Sequence, residues 1–159
     1  MGLKVICLAI LLFLSVSTFA ETPSLAEVRS LYSQAANDEK ACKKLIEWLK
    51  PYHEKNNPLL FGYKAGGTMM MANYVFNPFS KLNYFNKGKK MLHRAISADG
   101  QNIELRFIRF GVQTNAPSFL GYNNYVERDK AFLKQSIPAI SDQNLKNMIL
   151  NYFKKQGYL

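Results

Sequence analysis

The sequence predicts an all-α domain of antiparallel helical hairpins, with about seven helices after an N-terminal export signal. Two observations predict this fold class. Apolar residues recur three and four positions apart through most of the chain, and no segment keeps the two-residue alternation of a half-buried strand. The recurring stretches are separated by short segments rich in Pro, Gly and Asn, which are typical of turns between helices.

The first 20 residues have the pattern of a secretory signal peptide. Lys4 provides the basic start, residues 5–13 are apolar, and Thr18 and Ala20 stand at the −3 and −1 positions of a cleavage site. The apolar stretch is shorter than the ~20 residues of a transmembrane helix, which favours cleavage after Ala20 over an uncleaved anchor. Residues 21–159 would then form a single helical domain in the periplasm or outside the cell.

The first two helices are predicted on either side of a polar break at Asn37-Asp38. Thr22-Pro23 has the form of an N-cap followed by a proline at the first helical position, so the first helix is expected to begin there. The second helix carries apolar residues at helical spacing up to Leu49, and Pro51 ends it.

A third helix is predicted over residues 59–75 and is rich in glycine and methionine. Gly66 and Gly67 are adjacent inside it, and a glycine in a helix interior costs about 1 kcal/mol relative to alanine. Two explanations are open: another helix approaches closely at this point, or the helix is kinked.

Four further helices are predicted over residues 78–98, 103–113, 124–137 and 141–156. The turn at 99–102 ends in Asn102, whose side chain is expected to cap the fifth helix. Gly157 stands where a C-cap glycine would end the last helix. The connection at 115–122 is irregular and bears aromatic residues.

Residues 85–111 resemble the junction between two tetratricopeptide-type repeats. The small, large and alanine positions of the second helix of a repeat fall on Gly88, Leu92 and Ala95, and the aromatic positions of the next helix fall on Phe107 and Phe110, before Gly111. The resemblance implies that helices cross closely at the small residues, Gly111 among them. It also implies that one core is shared by Phe85, Leu92, Ala95, Phe107 and Phe110. A period of about 34 residues does not run through the chain, so the resemblance implies a repeat-like fold and not a repeat array.

Charge gives the clearest asymmetry of the sequence. The chain has 21 basic and 11 acidic residues, and losing Lys4 with the signal leaves a net charge of about +9. Residues 55–98 contain seven basic residues and no acidic one. A basic face is predicted on the fourth helix from Lys81, Lys87, Lys90 and Arg94. This face either keeps the protein in solution or binds anionic lipid or glycan, and the export signal argues against nucleic acid.

The sequence contains no catalytic motif, and neither a cofactor nor a metal is predicted. His53 and His93 stand on separate helices without metal-ligand spacing. Cys42 is interpreted as a buried apolar residue, with a reactive thiol as the alternative. An envelope hydrolase would require several acids, Glu104, Glu127 and Asp129, to meet in one cleft.

A candidate binding site is predicted where the fifth helix meets the connection at 115–122. Arg106, Arg109 and Gln113 are three and four residues apart and reach one side of the helix. The two arginines either hold a ligand's carboxylate or phosphate or pair with Glu127 or Asp129 inside the fold. Tyr122 is expected to be partly exposed beside the arginines, as the wall of a groove. Two apolar residues of the connection are expected to be buried: Phe119 and Leu120.

The function predicted first is that of an exported, non-catalytic protein-interaction or scaffold module, whose partner is another envelope or extracellular protein. The alternative is a peripheral binder of anionic lipid or glycan, and an envelope hydrolase is third. The whole chain also resembles small exported helical proteins of Gram-negative bacteria, a resemblance that implies export and no particular activity.

Overall fold

The computed structural model describes residues 22–158, and the predicted signal peptide, residues 1–20, lies outside them. Every regular element of the described residues is helical, which confirms the all-α class. The seven α-helices are α1 Leu25–Ala35, α2 Glu39–Trp48, α3 Pro58–Met70, α4 Pro78–Ala98, α5 Ile103–Asn115, α6 Val126–Ser136 and α7 Gln143–Lys155. Short 3-10 turns follow α3 (Met71–Asn73), α5 (Ser118–Leu120) and α6 (Ile137–Ala139). No described helix is both long and apolar enough to cross a membrane.

Side-chain caps set most helix starts. Asn57, Asn77 and Asn102 each accept a hydrogen bond from a backbone N–H in the first turn of the helix that follows. The prediction for α1 was wrong, because Ser24 and not Thr22 is its N-cap. Ser24 forms a capping box with Glu27, and two reciprocal bonds satisfy more free N–H groups than a single cap does.

Helix α3 is the centre of the first half of the fold and contacts α1, α2, α4 and α5. It is a continuous helix as far as Met70, shorter than predicted, and its glycines lie where neighbours come close. A Cβ atom on Gly66 would stand 2.5 Å from the Tyr32 hydroxyl, and one on Gly62 would stand 2.2 Å from Leu105 Cδ2. Close approach therefore explains the glycines of α3.

The buried apolar side chains form two clusters. Phe85, Leu92 and Ala95 belong to the larger cluster, built from α1 to α4 and part of α5. Phe110 belongs to the smaller one, built from α5, α6 and α7, and Phe107 packs against it half-buried. The expectation of one shared core for these residues was wrong, because α5 lies between the two clusters and presents different faces to them.

Gly111 does not lie at a close helix crossing, contrary to expectation. A Cβ atom built on it would meet nothing within 4 Å. Gly88 does lie at such a crossing, because its Cβ would stand 2.5 Å from the Ala65 carbonyl oxygen of α3.

Candidate binding site: an apolar groove and a cationic cavity

The two arginines of the candidate site are bound inside the fold. Asp129 of α6, fully buried, accepts hydrogen bonds from both guanidinium groups: Arg109 Nε at 2.6 Å and Nη2 at 2.7 Å, and Arg106 Nη1 at 2.9 Å. Arg106 also donates to the Gly100 carbonyl oxygen at 3.0 Å. Of the two alternatives left open by the sequence, internal pairing therefore holds. Two cations and one anion leave this buried group with a net positive charge.

Gln113 is one helical turn beyond Arg109 and is 4% exposed. Neither its amide oxygen nor its amide nitrogen has a hydrogen-bond partner among the described residues. Burying an amide in this way costs free energy. Gln113 lines neither of the two cavities described below.

A second group of ion pairs connects α1, α5 and the start of α7. Arg29 of α1 donates to both carboxylate oxygens of Glu104 on α5, at 2.6 and 2.8 Å, and also to Asp142, the N-cap of α7, at 2.8 Å. The Tyr63 hydroxyl donates to Glu104 as well. These bonds raise the pKa of Arg29 further above its usual range and lower that of Asp142.

The acids considered for catalysis bind different basic partners. Glu104 is held by Arg29, Asp129 by the two arginines of α5, and the exposed Glu127 by Lys130. Cys42 is buried, its Sγ lies 3.2 Å from the Gly67 carbonyl oxygen, and burial raises its pKa to about 11. A buried thiol with a raised pKa is a poor nucleophile. Among the described residues no group of acids, histidines and cysteines has a metal-binding arrangement.

Two residues of the connection after α5, Phe119 and Leu120, are more exposed than predicted. Phe119 is 84% exposed, although burial was expected, and Leu120 is half-buried against the larger core cluster. The reason is that Ala116, Leu120 and Tyr122 are the residues of this connection that pack against the larger cluster, whereas Phe119 lines an open groove.

This opening, here named the apolar groove, has a volume of about 800 Å³. Its floor includes Met69 and Met70 of α3, and its walls are the first two turns of α4, the last turn of α5 and the 3-10 turn Ser118–Leu120. Gly111 also lines it, which explains the free space around that residue. Lys81 is the only charged side chain of its described lining.

A second opening, here named the cationic cavity, has a volume of about 510 Å³. Helix α4 contributes four basic residues to its lining: Lys89, Lys90, His93 and Arg94. The opposite side is formed by Arg109 and by residues 121–125, which include two tyrosines. Lys89 Nζ lies 5.3 Å from the ring centre of Tyr122, and Arg109 Cζ lies 4.1 Å from that of Tyr125.

Tyr122 is half-buried and lines the cationic cavity together with Arg109. Its ring packs edge-on against Phe85, with 5.7 Å between ring centres. Burial raises the pKa of its hydroxyl to about 12, against a smaller opposite effect of Arg109. The hydroxyl is therefore a neutral hydrogen-bond donor at physiological pH.

The four residues of the predicted basic face are all exposed, but they do not share one environment. Lys90 and Arg94 line the cationic cavity, and Arg94 also pairs with Glu54, whose pKa this contact lowers. Lys87 lies outside both cavities. Lys81 lines the apolar groove and donates to the Ala72 carbonyl oxygen at 3.2 Å.

Comparison with known proteins gave no match to a protein-family model, a curated protein or a solved structure. The resemblance of residues 85–111 to a tetratricopeptide junction stays an expectation from the sequence.

Proposed function

We propose that this protein is an exported, non-catalytic binding module whose apolar groove holds the hydrocarbon chain of an anionic amphiphile, such as a fatty acid or a lipid with one acyl chain. The observation that supports the proposal is the groove itself. It has about 800 Å³ of space and a single charged residue, Lys81, in its described lining. Sites for small ligands have this character: mostly apolar walls with a few polar groups that orient the ligand.

An apolar ligand would cover surface that water otherwise contacts. Phe119 is 84% exposed and Leu82 is 48% exposed, and both line the groove. Covering apolar surface contributes roughly 25 cal/mol per Å². Met69 and Met70 suit a flexible chain, because their unbranched side chains adapt to irregular shapes.

The charge of the groove favours an anion. Lys81 has three N–H donors and gives one to the Ala72 carbonyl oxygen, which leaves donors for a carboxylate at the groove edge. No acidic residue is present in the described lining to compete for it. A cationic amphiphile would have no counter-charge there.

Two exposed phenylalanines near the groove favour a lipid surface as the source of the ligand. Phe76 is 98% exposed and Phe79 is 85% exposed, and they precede Lys81 in the chain, just before and within the first turn of α4. Aromatic side chains beside basic ones are typical of protein surfaces that rest on anionic membranes. This context agrees with the proposed location outside the cytoplasm. Recovery of the protein from a periplasmic fraction, with an N-terminal mass that corresponds to cleavage after Ala20, would test that location.

The test is a calorimetric titration of the purified protein with decanoate, below its micelle concentration. We expect decanoate to bind and decyltrimethylammonium to bind more weakly, because the second carries the opposite charge. Lys81→Gln should reduce this preference. Gly111→Leu should weaken decanoate binding at least about tenfold, or 1.4 kcal/mol, because its side chain enters the open groove.

Thermal unfolding provides the control that Gly111→Leu is folded, and Gly111→Ala provides a smaller side chain at the same site. Decanoate binding that is unchanged by Gly111→Leu would overturn the proposal. If neither amphiphile binds, the exposed phenylalanines indicate a protein partner instead.

A further inference from the structure

The cationic cavity and the apolar groove are neighbours along the same helix. Phe85 of α4 lines the groove, and Lys89, one helical turn later, lines the cavity. On the opposite side, Leu120 lines the groove and the next residue, Gly121, lines the cavity. Gly121 has a φ of 57°, a left-handed conformation that favours glycine, and it turns the chain between the two openings. Phe85 of the groove lining contacts Tyr122 of the cavity lining, with 5.7 Å between ring centres, so the two openings are adjacent.

Several donors in the cationic cavity have no partner within the described part of the chain. Lys89, Lys90, His93 and the Tyr122 hydroxyl make no side-chain hydrogen bond to another described residue, and the Lys89 ammonium lies over the face of the Tyr122 ring. Arg94 and Arg109 differ, because each guanidinium already binds a carboxylate. The free donors are therefore two ammonium groups, an imidazole and a phenol.

The field in the cavity is positive. Its described lining contains no acidic residue, and the buried group below Arg109 contains two arginines for one aspartate. Two acids pair with lining residues: Glu54 with Arg94, and Asp129 with Arg109. Positive charge in a concave site attracts anions more strongly than on an open surface.

We propose that the cationic cavity binds a phosphate group, and that this phosphate is the head of an amphiphile whose chain lies in the apolar groove. A phosphate presents several acceptor oxygens, which match four separate donors better than the two oxygens of a carboxylate do. The second half of this proposal rests on the proposed function, because the hydrocarbon chain of the ligand needs the apolar groove as its site. The phosphate site itself stands on the donors of the cavity.

The experiment compares three probes on the purified protein by calorimetry: decyl phosphate, 1-decanol and inorganic phosphate. We expect decyl phosphate to bind at least about tenfold more tightly than 1-decanol, as expected for hydrogen bonds to a charged group. The double variant Lys89→Gln/Lys90→Gln should lose this difference while its affinity for 1-decanol stays unchanged.

Lys87→Gln is the control for charge loss on α4: it removes one positive charge, where the double variant removes two, from an exposed position outside the cavity. Decyl phosphate binding that is unaffected by the double variant, or equally weakened by Lys87→Gln, would overturn the phosphate site. If inorganic phosphate binds as tightly as decyl phosphate, the cavity takes free phosphate and the shared ligand is overturned. If 1-decanol does not bind, the groove as the site of the hydrocarbon chain is overturned. The binding of inorganic phosphate still tests the phosphate site in the cavity.

Discussion

At the level of single residues, a group of buried ion pairs connects α5 and α6. Asp129 is 0% exposed and binds two guanidinium groups, Arg106 and Arg109, that are themselves 6% and 5% exposed. A buried ion pair is a weak source of net stability, but removing one partner leaves an uncompensated charge in the interior. The carboxylate is therefore required because the arginines are present.

We expect Asp129→Asn to lower the free energy of unfolding by about 3–5 kcal/mol, because two buried cations would lose the one carboxylate that binds them among residues 22–158. Urea unfolding measures the change. Glu127→Gln, two residues earlier on the same helix, is the control: its exposed pair with Lys130 contributes at most about 1 kcal/mol. Equal losses in the two variants would contradict the assigned role of Asp129.

The contact between Arg29 and Asp142 makes stability depend on pH. The guanidinium lowers the pKa of Asp142 in the folded state, so its contribution is complete above the ordinary carboxyl pKa and is lost as the pH falls through the lowered value. Asp142→Asn removes the charge and keeps a residue type that caps helices well.

Near neutral pH we expect Asp142→Asn to be less stable than the natural protein by up to about 1 kcal/mol, because the carboxylate is 43% exposed and solvent screens the pair. The difference should disappear at acidic pH, where both forms are uncharged at this position. Urea midpoints measured at both pH values check this. A difference that does not change with pH would show that the ion pair is not its cause.

At the level of elements, one glycine of α4 lies at a close helix crossing, whereas one of α5 faces open space. Gly88 of α4 faces the backbone of α3, where a Cβ atom would stand 2.5 Å from the Ala65 carbonyl oxygen and 2.9 Å from the Met69 nitrogen. Gly111 of α5 faces the open groove. The first allows two helices to pack closely, and the second leaves the groove open.

We expect Gly88→Ala to destabilise the protein by about 1–3 kcal/mol, because α3 and α4 would have to move apart. Gly111→Ala should instead raise stability by up to about 1 kcal/mol, the difference in helix propensity. Chemical denaturation of both variants provides the comparison. If Gly88→Ala is neutral or stabilising, the close crossing of α3 and α4 is wrong.

At the scale of the whole molecule, α5 contributes to both core clusters, and the segment that follows it lies between the two surface openings. Its Leu105 and Ile108 belong to the larger cluster, while Phe110 belongs to the smaller one. Residues 116–125 then continue between the apolar groove and the cationic cavity and line both. Helix α5 and the connection that follows it therefore contribute to the lining of both openings.

The sequence by itself determined the helical class, the number of helices and the N-cap of α5. These depend on residues close together in the chain: apolar residues at helical spacing, and Asn102 just before a helix. The basic residues of α4 and the aromatic residues of the 115–122 connection were also visible as candidates for binding. That they line two separate cavities was not.

Only the tertiary structure decided which partner each candidate residue meets. Arg109 and Asp129 are 20 residues apart, and Arg29 and Glu104 are 75 apart, so no local pattern predicts their pairing. The division of one expected core into two, and the exposure of Phe119, likewise depend on how helices distant in sequence pack. The physical reason is that helical periodicity records which side of a helix is apolar, whereas partner choice depends on contacts between elements, which this single sequence does not encode in any short segment.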